Sequence, residues 1–225
     1  MPLRFLVAYI FLVTPSLLFA QSKDSVQQQV RLPILAKYSP LSLLDPDPTI
    51  QFGLEYPLSN LVSIQLQVGA LKTFGRPDFW GNNSSRMIYR VRPEVRVYLN
   101  KERDSFDGAY LALEGLFKEV RQQRAEEINQ GSYFEYKEFL LVRQAWGSHI
   151  KFGFQKTFTR NKKWLFDFYF GPGLRWVFHH TTNDVSLDQV ETEDIFWGLR
   201  NNEARPSFAW NIQVCKVLGG IPPKK

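Results

Sequence analysis

The chain of 225 residues has one cysteine, Cys215, and three histidines. A single cysteine excludes an intramolecular disulfide framework, and with only His149, His179 and His180 as further soft ligands it leaves no zinc constellation. Long apolar runs are missing as well. After residue 20 no stretch of 18 or more apolar residues occurs, which excludes a helical membrane protein but leaves open one that crosses with short, half-apolar strands. The net charge of +6 is spread over strand-like and turn-like segments, with no contiguous basic helix or nucleic-acid motif. No nucleic-acid partner is therefore expected, and anionic lipid head groups or solvated loop tips account for the charge. Aromatic residues, by contrast, make up 15% of the chain, and their spacing is the strongest signal it carries.

Two stretches, Trp146 to Phe158 and Trp164 to Trp176, place bulky apolar residues at alternate positions and are joined by the polar turn 159–163. In the first, Trp146, Ile150, Phe152, Phe154 and Phe158 share a face, broken by Ser148 and Lys156, against Gly147, His149, Lys151, Gly153, Gln155 and Thr157. In the second, Trp164, Phe166, Phe168, Phe170, Leu174 and Trp176 oppose Asp167, Tyr169, Gly171, Gly173 and Arg175. Period two over this length is the mark of a β-hairpin. Twelve residues at roughly 3.3 Å rise and about 40° tilt cover roughly 30 Å, close to the height of an outer-membrane apolar band with its girdles. Trp146, Phe158, Trp164 and Trp176 are the expected girdle residues.

The same alternation divides the rest of the chain. Residues 1–20 are expected to be a secretory signal, with basic Arg4, an apolar run from Phe5 to Val13, and cleavage near Ala20. Residues 21–31 form a polar lead-in, 32–218 a β-barrel domain, and 219–225 a tail. Strands are predicted from Ile34 to Leu44, Thr49 to Tyr56, Leu61 to Phe74, Arg86 to Asn100 and Gly108 to Gln122, with a return from Tyr133 to Val142 into the Trp146 hairpin. A final strand carries Phe208, Trp210, Ile212 and Val214. Short turns at Pro57, Lys101 and Thr159 alternate with longer segments at 75–85, 123–133 and 179–205, and only the connection at Asp45 breaks the rhythm by being short. The fold class is therefore all-β: an eight-stranded, antiparallel, up-and-down transmembrane barrel. Pro93 and Pro172 interrupt strands that closure keeps paired, so each is expected at a bulge or kink.

With the apolar face outward, the lumen receives Glu55, Arg90, Arg92, Glu94, Arg96, Glu114, Lys151, Asp167 and Arg175. Eight strands leave an interior just wide enough for side chains, so this set is expected to be a salt-bridged plug, with a ligand-binding lumen as the lesser alternative. A soluble lipocalin-like binder of an apolar ligand is the other barrel reading. It requires the charged face outside and the aromatics packed within.

The segments Lys37-Tyr38-Ser39-Pro40-Leu41-Ser42-Leu43-Leu44-Asp45-Pro46, Gln51-Phe52-Gly53-Leu54-Glu55-Tyr56 and Arg92-Pro93-Glu94-Val95-Arg96-Val97-Tyr98 resemble a functionally uncharacterised family of small outer-membrane β-barrel proteins of Bacteroidota-type bacteria, over about residues 32–218. The resemblance implies a location and an architecture and supplies no catalytic residues. A structural or interaction role is expected, in a monomer surrounded by outer-membrane lipid and lipopolysaccharide, with no cofactor, no metal and no catalytic constellation, and with any extracellular partner undetermined. The enzymatic alternative is lipid A acyl modification. Ser148 and His149, as strand neighbours, face apart and cannot form its dyad, which leaves His179 and His180 as candidates, with Asp184, Asp188 or Glu191 nearby as possible metal partners.

Overall fold

The computed structural model describes residues 34–73, 85–99, 106–129, 134–159, 162–182 and 204–218, with backbone alone for 124–129 and 134–137. The expected signal, lead-in and tail, the loop 75–84, and Asp184, Asp188 and Glu191 lie outside the described residues. Eight antiparallel strands form one closed barrel in sequence order: β1 (Ile34–Tyr38), β2 (Ile50–Pro57), β3 (Val62–Thr73), β4 (Arg86–Tyr98), β5 (Gly108–Asn129), β6 (Phe134–Thr157), β7 (Trp164–Thr181) and β8 (Ala204–Leu218). Closure comes from β1 on β8, in register from Ile34↔Leu218 to Tyr38↔Val214. No helix among the described residues is long and apolar enough to cross a membrane.

Strand β1 is shorter than its sequence pattern predicts. Pro40 opens a 3-10 turn (Pro40–Leu43), so the chain leaves the sheet at Tyr38 and the β1–β2 connection runs from Ser39 to Thr49. The β1–β2 connection is thereby long where the sequence seemed to make it short, whereas the β5–β6 connection, expected to be long, spans only residues 130–133. The β1–β2 connection turns inward: Ser39, Ser42, Asp47 and Thr49 are buried. The Ser42 hydroxyl lies 2.6 Å from the carbonyl oxygens of both Ser39 and Thr49, with one proton to donate between them, and Gln213 of β8 donates to the Ser39 hydroxyl at 3.1 Å.

Strands β5 and β6 run for 22 and 24 residues and stay paired from Gly108↔Gln155 to Asn129↔Phe134. The predicted loop 123–133 therefore shrinks to 130–133, and His179 to Thr181 and Ala204 to Arg205 belong to strands. Neither proline sits at a bulge. Val91↔Phe117 and Glu94↔Glu114 share one register, as do His149↔Gly173 and Phe152↔Phe170, so each proline interrupts the ladder on one side without inserting a residue. Beside Pro172, a Cβ on Gly171 would lie 1.9 Å from the Ile150 carbonyl oxygen, so glycine alone permits that close approach of β7 to β6.

The burial pattern is that of an inverted protein. Phe152, Phe154, Phe166, Phe168, Phe170, Trp210 and Ile212 are exposed on the outside, while Glu55, Arg96, Glu114, Lys151 and Asp167 are fully enclosed. This excludes the lipocalin-like arrangement, which needs the opposite faces. On the outer wall Trp146 stands directly opposite Trp176 in the ladder, and the Phe158 amide donates to the Trp164 carbonyl at 3.2 Å, which sets the four residues at the two ends of one hairpin; the ring of Trp146 packs against Phe117 and that of Phe158 stacks on Phe166.

Candidate functional site: a layered lumen

The lumen is filled in three layers. At the end of the short turns lies an apolar floor of Leu35, Phe106, Leu165, Cys215 and Val217. Above it the tyrosines Tyr98, Tyr110 and Tyr169 pack with Ala112 and Ala209 and point hydroxyls and ring faces at the charges. The Tyr110 ring occupies the space over Gly153, where a Cβ would come within 2.1 Å of its Cζ.

The middle layer is one continuous path of alternating charge. Arg92 pairs with Glu114 at 2.9 Å; Glu114 with Lys151 at 2.6 Å; Lys151 with Glu94; and Glu94 with Arg96. Arg96 then contacts Asp167 at 2.6 Å and Glu55 at 3.2 Å, and Lys37 closes the path on both of those carboxylates. Four cations meet four anions, so the buried layer is neutral. The remaining lone pairs are also used. Asp167 accepts from the Tyr110 hydroxyl at 2.6 Å and from Gln155 at 3.2 Å, and Glu55 accepts from Ser63 at 2.7 Å, from Gln155 at 3.0 Å and from Tyr98. The Arg96 guanidinium lies 4.2 Å from the centroid of the Tyr110 ring and the Lys151 ammonium 3.9 Å from that of Tyr169. Such satisfaction is what a buried ion pair requires to offset its desolvation.

The third layer lies under the β1–β2 connection. Arg90, Arg92, Lys118, Arg143 and Arg175 line a cavity of about 240 Å³ there, together with Asp45, Asp47 and Glu114 among the described residues. Asp45 pairs with Arg90 at 2.6 Å, while Asp47 receives Lys118 and Arg143, and its carbonyl accepts from Arg90 at 3.2 Å. Both carboxylates are delivered by a single connection. Burial disfavours the charged form of Asp47, but the adjacent Lys118 and Arg143 outweigh it and hold the carboxyl well below its ordinary range.

All nine residues of the expected lumen set face inward, with Arg175 half-buried, but they belong to two layers instead of one plug. Sequence reasoning missed Lys37, Lys118, Arg143 and Asp47. The first three keep the lumen phase of their strands, Lys37 two residues from buried Leu35 and Arg143 six from His149, so alternation alone could have placed them. Asp47 lies in a connection, where no period applies.

The pleat separates the two adjacent histidines, and Asp184, Asp188 and Glu191 lie outside the described residues. His179 is buried on the lumen side and His180 is exposed on the other, so they share no site, and no group of three metal-ligating residues occurs among the described residues. His149 faces the lumen, away from Ser148, with its Nε2 2.7 Å from the Ser207 hydroxyl. Its Nδ1 lies 3.2 Å from Glu114 but without hydrogen-bond alignment, and Glu114 is already held by Arg92 and Lys151.

No protein-family model and no curated protein matches the chain. Among solved structures it is similar to the crystal structure of CarO2 from Acinetobacter baumannii, at 13% identity and a TM-score of 0.39, over 85% of this chain and 100% of that one. The closed barrel rests on its own strand pairing, and this likeness adds nothing to it.

Proposed function

We propose that the protein is an outer-membrane β-barrel with a structural or interaction role at the cell envelope, its short turns on the periplasmic side and its β5–β6 hairpin reaching outside. The observation that carries this reading is the inversion of the wall. A continuous aromatic and aliphatic belt outside a charged interior is stable in hydrocarbon and a liability in water. The floor and the neutral middle layer seal the lumen, so the role is not that of an open pore. Surrounding lipid and lipopolysaccharide are the partners this wall fits, as a monomer, and membership of the Bacteroidota-type barrel family suggested by the 37–46 and 92–98 segments agrees with it.

The test is electrophoretic mobility of detergent-extracted envelope protein with and without boiling in SDS, beside fractionation of the cells. A heat-dependent shift in the membrane fraction is expected. Release into the soluble fraction without a shift overturns the reading.

A further inference from the structure

We infer that Ser207, His149 and Glu114 act as nucleophile, base and orienting carboxylate in the upper cavity, and that they cleave the acyl ester of a membrane amphiphile entering through the barrel wall. All three line that cavity. The strand registers set them in one row, Glu114↔His149, His149↔Gly173 and Gly173↔Ser207, across β5 to β8. A Cβ on Gly173 would lie 2.2 Å from His149 Cδ2, so the bare glycine is what lets the imidazole reach over β7 to Ser207. His149 Nε2 is 2.7 Å from the Ser207 hydroxyl, and Nδ1 is 3.2 Å from Glu114 Oε1. With Nε2 accepting the hydroxyl proton, the ring hydrogen sits on Nδ1, on the side of Glu114. That second contact is out of line for a hydrogen bond, and catalytic contacts of this kind often tighten only once substrate is bound. Arg92 and Lys151 fix the carboxylate, so the imidazole is the part that turns.

The wall beside this row gives access from the lipid side. Strand β1 ends at Tyr38↔Val214, whereas β8 continues to Ala204, and among the described residues Ala204 to Gln213 pair with β7 alone. Phe208 and Trp210 are exposed on the outer wall and also line the cavity, so it reaches the outer face on either side of the Ser207 position. Entry from hydrocarbon rests on the membrane reading above. A cavity of about 240 Å³ exceeds the roughly 150 Å³ that admits benzene. It holds an ester group and a few methylenes, and the rest of the chain stays outside.

In the reaction the Ser207 oxygen bonds to the ester carbonyl carbon while its proton passes to His149 Nε2. The bond from that carbon to the alcohol oxygen breaks, and the proton leaves with the alcohol. Water, deprotonated by the same nitrogen, then attacks the acyl-serine; the carboxylic acid departs and the proton returns to Ser207. Arg175 is the diagonal cross-strand neighbour of Ser207 and lines the cavity, which places positive charge near the transient oxyanion.

The experiment treats the heat-shifting barrel, in neutral detergent, with a long-chain alkyl fluorophosphonate and with two esters, p-nitrophenyl palmitate in mixed micelles and water-soluble p-nitrophenyl butyrate. Reading only heat-shifting protein keeps failure here distinct from failure of the membrane reading. Mass spectrometry is expected to find the phosphonate on Ser207, and the palmitate ester is expected to be hydrolysed. Ser207→Ala abolishes labelling, and both it and His149→Gln slow hydrolysis at least about a hundredfold with the heat shift retained. Glu114→Gln lowers kcat and leaves KM unchanged, as a positioning role requires. Labelling of the wild type needs no variant, so a substitution that blocks assembly leaves the test in force. A wild-type barrel that takes no label and cleaves neither ester overturns the proposal, as does hydrolysis that survives Ser207→Ala. Cleavage of the butyrate ester alone overturns the amphiphile as substrate and entry through the wall.

Discussion

Asp167 tests whether the middle layer is a neutral, mutually dependent unit. Its carboxylate is fully buried and holds Lys37 and Arg96, each at 2.6 Å, as well as the Tyr110 hydroxyl. Asp167→Asn keeps the shape and an acceptor for Tyr110 but leaves four buried cations facing three anions. Breaking a buried pair on one side costs about 3–5 kcal/mol, because the surviving charge is stranded. Lys37→Met strands the opposite charge and carries a cost of the same order. The double variant restores neutrality, three against three, and is expected to cost less than the two singles together by about 2–3 kcal/mol, near the upper end of measured couplings. The assay is urea unfolding of the barrel in phosphatidylcholine vesicles, followed by tryptophan fluorescence. Strict additivity within about 0.5 kcal/mol, or a single-variant cost below about 1 kcal/mol, as for an exposed pair, would refute the claim that these charges act as one layer.

Three other outcomes follow from the geometry. Gly153→Ala drives a methyl group into the Tyr110 ring and is expected to destabilise the barrel by about 1–3 kcal/mol in the same assay; an unchanged midpoint would show that the ring is free to move. On the outer wall, Phe170→Arg, midway between Trp164 and Trp176, is expected to cost about 2–4 kcal/mol and Trp176→Arg about 0–1, so equal costs in vesicles would contradict the placement of the hydrocarbon band. At the short-turn end, burial raises the Asp107 carboxyl, but hydrogen bonds from the Thr157 hydroxyl and amide outweigh it and hold the pKa below its ordinary value. A depressed carboxylate contributes stability that is complete above its unfolded pKa of about 3.9 and is lost as pH falls through the folded value. Unfolding midpoints measured from pH 6 downward should therefore fall less steeply in Asp107→Asn than in the wild type, and parallel curves would remove Asp107 from the account.

What the sequence made legible follows from how each feature is encoded. Alternation over Trp146 to Trp176 specified both faces of β6 and β7, because a one-residue slip would invert every side chain. It also delivered the nine lumen residues. The β1–β2 connection was misjudged because Pro40 ends the strand within a segment whose apolar residues, Leu41, Leu43 and Leu44, still look strand-like. Pro93 and Pro172 were expected at bulges because a missing donor must be accommodated, yet the ladder simply goes unpaired there and a neighbouring glycine lets the strands approach. Which carboxylate meets which cation is a property of eight strands closed on one another and has no local signature. The adjacent histidines illustrate the opposite error: His179 and His180 look like a pair in the sequence, and the pleat separates them.

The division of the lumen into a layer paired between strands and a mouth braced by the β1–β2 connection has a physical logic. A barrel whose apolar residues mostly face outward keeps only a small apolar floor inside, so most of its interior must be held by polar contacts whose desolvation is offset within the set. The path from Arg92 to Lys37 meets that condition by matching four cations to four anions and saturating the carboxylates with tyrosine, glutamine and serine donors. Above it, Arg90, Lys118 and Arg143 meet Asp45 and Asp47, which arrive on a connection that packs into the barrel mouth. Charge supplied by a connection can be exchanged without dismantling the wall, whereas charge supplied by strands cannot. Substitutions in the two layers should accordingly separate: those at Asp167 or Lys37 lower the unfolding midpoint, while Asp45→Asn, at a half-exposed carboxylate, leaves it nearly untouched. If Asp45→Asn lowered the midpoint as much as Asp167→Asn, the lumen would be a single network.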